Sequence, residues 1–158
     1  MKKGEEIFSV GIIGCGLIGS KRAKALGHRG KLVACADTDI KKADALAQIY
    51  GARAFDNWAD LLQMANVNIV IISTLHDSLA DITRAAVQSG KHVLVEKPAA
   101  RSASELDPII PLVKSLNVKV RVGFNHRYHR ALLKAKEIVD LGVLGELMFV
   151  RGRYGHGA

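Results

Sequence analysis

The chain has 158 residues, 49% of them apolar, which is enough for one well-packed domain of ordinary size. Its formal charge is +8, yet no run of five or six like charges marks a nucleic-acid arm, and no apolar run reaches the roughly 20 residues of a membrane span. Met1 to Ser9 is charged and lacks the apolar core of a secretion signal, so a soluble cytoplasmic protein is expected, without nucleic-acid or membrane partners.

The apolar run Ile7 to Ile13 predicts a strand covered on both faces. After a glycine-rich break, Leu17 to His28 reads as a helix with Leu17, Ala25 and Leu26 on its buried stripe. Lys31 to Ala36 is the next strand and Ile40 to Tyr50 the next helix. Arg53 to Phe55 reads as a weak strand, and Asn57 to Met64 as a short helix carrying Trp58, the only tryptophan, as a core or interface anchor or a cover near the adenosine side. Asn68 to Ile72 is strongly apolar, and Asp77 to Ser89 is helical up to Gly90. His92 to Val95 is a further strand. Ser102 and Glu105 have the spacing of a capping box, with Pro108 and Pro111 expected to shorten or bend the helix they open. Val118 to Val122 closes the series. Strands alternate with helices throughout, which predicts a Rossmann-type, doubly wound, mainly parallel α/β sheet over residues 1–122.

From Gly123 the character changes. Arg127 to Asp140 reads as a helix, Gly142 and Gly145 as a turn, and Leu147 to Tyr154 as an extended segment. Residues 123–158 are expected to be a connecting helix and the first strand of an incomplete second α/β domain, because a lone strand can neither bury its face nor satisfy its edge.

Gly14-Cys15-Gly16-Leu17-Ile18-Gly19 is a GxGxxG turn between a strand and a helix. Gly14 permits the tight turn, Gly16 lets backbone approach a pyrophosphate, and Gly19 lets the helix pack on the strand. The amides at the helix start, at Leu17 and Ile18, then point at the phosphates. Asp37, beside Thr38, ends the second strand 23 residues after Gly14, where an acid accepts hydrogen bonds from the adenine-ribose hydroxyls. That favours NAD over NADP, although Lys41 and Lys42 could cradle an extra phosphate. The competing role for Asp37 is a turn or capping acid, and Asp39 is the better candidate for capping alone. Cys15 and Cys35, the only cysteines, read as small buried thiols, and no metal site is expected.

Ligands of such sheets lie beyond the C-terminal ends of the strands, and every other candidate falls there too. Ser73 and Thr74 either line a cofactor channel or simply start a helix. His76 either stacks near the adenine side or is merely exposed. In Glu96-Lys97-Pro98, Lys97 brings a positive charge to the place expected for nicotinamide and could hold a substrate hydroxyl or share its proton. Glu96 could orient that lysine or meet the nicotinamide ribose, and the competing reading is a surface Glu-Lys pair. The basic, ring-bearing stretch Asn125 to Arg130 reads as a helix start near the cofactor cleft, with Arg127 available for an anionic or hydroxylated substrate and a candidate for cofactor binding.

These motifs resemble the glucose–fructose oxidoreductase / inositol dehydrogenase (Gfo/Idh/MocA) family of NAD(P)-dependent sugar and cyclitol dehydrogenases. The resemblance rests on Gly14, Gly16 and Gly19, on Ser73-Thr74, on Gly90 through Pro98, and on Gly123 through Arg127 with the Gly145-Glu146 turn. It implies a dinucleotide domain followed by a larger α/β domain with substrate site and oligomer contact, hence a homo-oligomer once that domain is complete. It implies that Lys97 contacts a sugar-like substrate and helps proton transfer, and that a later histidine is the main acid–base. The role of that histidine is not assigned to His126, His129 or His156. The sequence departs from the family pattern at Leu75, Leu79 and Arg130. The fragment is expected to bind cofactor without the main acid–base. The alternative is a non-catalytic dinucleotide-binding regulatory or dimerisation module.

Overall fold

The computed structural model describes residues 7–153 and 155. It contains one six-stranded sheet, all of whose pairings are parallel: β1 (Phe8–Ile13), β2 (Gly30–Ala36), β3 (Arg53–Phe55), β4 (Ile69–Ile72), β5 (His92–Val95) and β6 (Val120–Val122), in the order β3-β2-β1-β4-β5-β6. The strand order reverses between β1 and β4, which lie side by side at the centre. This is the Rossmann arrangement, and that reversal opens the crevice in which such sheets bind ligands.

Alternation along the strands builds a core on each face. Ile13, Val70, Ile72, Val93 and Val95 join α3 (Trp58–Leu62), α4 (Leu79–Gln88) and α5 (Ile109–Ser115) in one cluster. Val10, Ile12, Leu32, Cys35 and Ile71 join α1 (Leu17–Lys24) and α2 (Ile40–Tyr50) in the other. Both faces of the central strands are covered, so β1 and β4 read as nearly continuous apolar runs. Trp58 is half-buried against the first cluster.

Three local expectations are corrected. The first helix stops at Lys24 rather than running to His28, and its buried residues are Gly19 and Ala23; Leu17 is 72% exposed and Ala25 is exposed as well. Close approach of the helix at Gly19 decides which side faces the sheet. The capping box does not form. Ala103–Glu105 is a single 3-10 turn without a side-chain cap, and the Glu105 carboxylate instead accepts from the Arg101 amide at 3.0 Å. The prolines begin a helix rather than end one, since Pro108 precedes α5 and Pro111 lies in its first turn, where amide donors have no intrahelical acceptor.

The chain divides into two compact units, Met1–Gly123 and Phe124–Ala158. In the second, a 3-10 turn at Asn125–Tyr128 precedes α6 (Arg130–Asp140), whose first turn is capped by His129 Nδ1 accepting from the Ala131 amide at 3.3 Å. The helix expected from Arg127 is thus broken at His129. The expected strand from Leu147 is absent over residues 147–153, where no described segment forms a ladder with it; Tyr154 and His156 lie outside the described residues, as does most of the Met1 to Ser9 segment. No described helix is long and apolar enough to cross a membrane.

Candidate dinucleotide site

The glycine turn sits directly after β1, at the central crevice. Gly14 has φ +90°, and a Cβ there would lie 2.6 Å from the Ser73 carbonyl carbon and oxygen. A Cβ on Gly19 would fall 2.0 Å from the Gly14 oxygen. Both positions are closed to any side chain by the protein itself. Gly16 differs. Its φ is −70°, open to any residue, and a Cβ there would meet no protein atom within 4 Å. Nothing in the fold demands glycine at 16, so the site fits a ligand that must press against bare backbone at the helix start. No acidic side chain occupies the first turn of α1 and no side chain caps it, and Leu17 and Ile18 are exposed. Unsatisfied amides and the positive end of the helix dipole therefore face outward, as an anion requires.

Neighbouring strand ends hold this turn. The Ser73 hydroxyl donates to the Gly14 carbonyl at 2.7 Å and its amide to Ile13 at 2.8 Å. Ser73 thus braces the turn, whereas Thr74 Oγ1 is engaged with Ser78 Oγ at 2.9 Å at the approach to α4. His76 is exposed.

Asp37 stands at the end of β2 and spans two turns. Oδ2 accepts from the Cys15 amide at 2.8 Å, and Oδ1 accepts from the Asp39 amide at 2.9 Å. The sequence alone did not reveal the first of these bonds. It removes the Cys15 amide from the donors free for phosphate and makes Asp37 part of the turn's frame. Asp39 caps α2 by accepting from the Lys41 amide at 3.2 Å, and Lys42 Nζ lies 3.6 Å from its carboxylate. Cys15 and Cys35 are both buried. A hydrogen bond to Cys35, burial and the nearby Asp37 charge push the Cys15 thiol far up, so it stays protonated. Among the described residues no cluster of three His, Cys, Asp or Glu could hold a metal ion.

At the end of β5, Glu96 is 8% exposed and its carboxylate pairs with Arg22 of α1, not with Lys97. The surface Glu-Lys pair is therefore not formed. Lys97 is exposed, and its peptide bond to Pro98 is cis. Sequence reasoning missed Arg22; only the period of α1, with Arg22 one turn beyond Gly19, hinted that it faces the sheet. Arg127 belongs to the second unit, where it is exposed.

Residues 8–124 match the Gfo/Idh/MocA family, described as an oxidoreductase family with an NAD-binding Rossmann fold. The chain is 31% identical over 153 residues to an inositol 2-dehydrogenase of Salmonella paratyphi B, covering 93% of this chain and 46% of that protein. It is 30% identical over 160 residues to a levoglucosan dehydrogenase of Pseudarthrobacter phenanthrenivorans, covering 93% and 40%. Among solved structures, scyllo-inositol dehydrogenase from Lactobacillus casei with bound NAD(H) and scyllo-inositol superposes with a TM-score of 0.84 at 25% identity, covering 89% of this chain and 43% of that one. The chain spans less than half the length of these relatives.

Proposed function

The chain belongs to the Gfo/Idh/MocA oxidoreductase family, and on that premise we propose that it is the cofactor-binding part of an NAD-dependent dehydrogenase acting on a hydroxyl-bearing carbon of a sugar, sugar derivative or cyclitol. The observation that carries this reading is the open space over Gly16, beside exposed helix-start amides at the sheet's crevice. When bound, nicotinamide supplies the hydride acceptor or donor. Gly14 and Gly19 set the turn, Gly16 admits the diphosphate, and the amides of Leu17 and Ile18 face it. Asp37 and Thr38 lie where the adenine ribose belongs, and the negative charge of Asp37 disfavours the additional phosphate of NADP. Ser73, Thr74, His76 and Glu96 line the remaining strand ends.

Lys97 is the residue we assign to the substrate. Exposed at the tip of β5, its ammonium can donate to the reacting hydroxyl and stabilise the charge that grows on that oxygen as the proton departs. We place residues 1–122 in the dinucleotide domain and 123–158 at the start of a substrate and oligomerisation domain, and propose Arg127 as a cofactor-binding residue. The named activities of the inositol and levoglucosan dehydrogenases support the substrate class, and the family resemblance is the ground on which we assign the protein to homo-oligomers.

Calorimetric titration with NAD and NADP separately tests the reading. NAD is expected to bind more tightly. Tighter NADP binding would overturn the role of Asp37, and binding of neither would overturn the site. Assay of the chain against a panel of inositols and sugars then separates an enzyme from a module that binds without turnover.

A further inference from the structure

α1 has little to hold it in place. Its own buried residues are only Gly19 and Ala23, so the helix contributes no large apolar side chain to its contact with the sheet. The helix nevertheless carries the amides on which the diphosphate site depends. Among the described residues, an ionic contact attaches it to the sheet. Arg22 Nε donates to Glu96 Oε1 at 2.5 Å, and a terminal guanidinium nitrogen contacts the same carboxylate. Glu96 is interior, closes β5 and directly precedes Lys97.

The surroundings are built for this pair. A Cβ on Gly123, at the end of β6, would lie 3.1 Å from Arg22 Nη2 and 3.2 Å from each Glu96 carboxylate oxygen. Main-chain bonds fix the strand end itself: the Glu96 amide donates to Ile72, the Ala99 amide to Glu96, and the Gly123 amide to Val95, at 2.9, 2.9 and 2.8 Å. Glu96 is thus a rigid post, and Arg22 ties the helix to it. A buried ion pair is a poor source of net stability, since desolvation offsets the attraction. Two nitrogens of one planar guanidinium on a single carboxylate oxygen do, however, fix direction as well as distance.

We propose that Arg22 and Glu96 are positioning residues, a clamp that sets the diphosphate-facing helix against the strand end presenting Lys97. The inference rests on the dinucleotide reading above. It makes cofactor loading and the setting of Lys97 one event, since displacement of α1 is felt at the residue next to the lysine.

The test uses the whole chain with R22M, E96Q and R22K. Amide hydrogen exchange is read without cofactor at Ala99 and Ser20, with Val93 as a sheet control. R22M and E96Q are expected to exchange about tenfold faster at Ala99 and Ser20 while Val93 is unchanged, and R22K to recover part of the loss. The second readout is the NMR signal of the reductively 13C-methylated Lys97 amine as NAD is added. In the unaltered chain the signal shifts on binding. In R22M and E96Q the shift at saturation shrinks, and NAD binds at least about fivefold more weakly. Exchange raised equally at all three amides, or a Lys97 shift as large as in the unaltered chain, would overturn the clamp. Failure of the unaltered chain to bind NAD would overturn the dinucleotide reading, and the cofactor-free exchange comparison would still decide whether the clamp exists.

Discussion

Asp37 shows how one carboxylate can serve the frame of a site and its ligand together. Its two oxygens hold the Cys15 and Asp39 amides, so its removal loosens the glycine turn before any ribose contact is lost. D37A is expected to cost about 2 kcal/mol in urea unfolding, the scale of lost hydrogen bonds to a charged group. It is also expected to weaken NAD more than NADP, because the loosened turn affects both nucleotides while loss of the charge relieves only the extra phosphate; titration with both would check this. The glycines offer a sharper contrast. G19A drives a methyl into the Gly14 carbonyl and should fail to form the native turn, whereas G16A should melt like the unaltered chain yet bind NAD at least about tenfold more weakly. A G16A protein that binds NAD normally would remove the main support for the site. The spacing of these glycines was legible in the sequence because it is local. The Asp37–Cys15 and Arg22–Glu96 bonds were not, because each joins residues brought together only by the crossovers between strands.

At the scale of elements, strands were read more closely than helices. Apolar runs bounded by glycine or charge locate β1, β4 and β5 to within a residue or so, since both faces of those strands must be covered. Helix ends depend on contacts that the one-dimensional pattern lacks. Ser102 and Glu105 have capping-box spacing, yet Arg101 takes the carboxylate through its amide and its Nε, both at 3.0 Å. That hydrogen bond, first from the backbone, holds Glu105 below the usual carboxylate value of 4.5. The folded state therefore binds the proton less readily than the unfolded state. The resulting stability is complete above about pH 4.5 and is lost as pH falls through the lower folded value. The stability difference between the unaltered chain and E105Q should accordingly be larger at neutral pH than in acid, as measured by urea unfolding at several pH values. A difference independent of pH would show that the carboxylate charge is not what the turn uses.

At the scale of the molecule, the division at Gly123 separates two kinds of chain. The buried apolar core runs from Val10 to Val118, entirely within the first unit, while nearly every described residue from Phe124 onward is exposed. In the sequence, too, the strand–helix alternation ends near Gly123. The fate of the segment from Leu147 was not, since a strand needs a ladder partner as well as a pattern. A core confined to one unit predicts that a chain ending at Gly123 folds cooperatively, with a urea midpoint close to that of the whole chain. Every cofactor residue assigned above except Arg127 lies within it. Its NAD affinity therefore measures what the second unit adds. If Arg127 reaches the cofactor, the shortened chain and R127A in the whole chain should lose affinity by the same factor. A shortened chain that binds as tightly as the whole would take Arg127 out of the site and leave the strand ends and the glycine turn as sufficient.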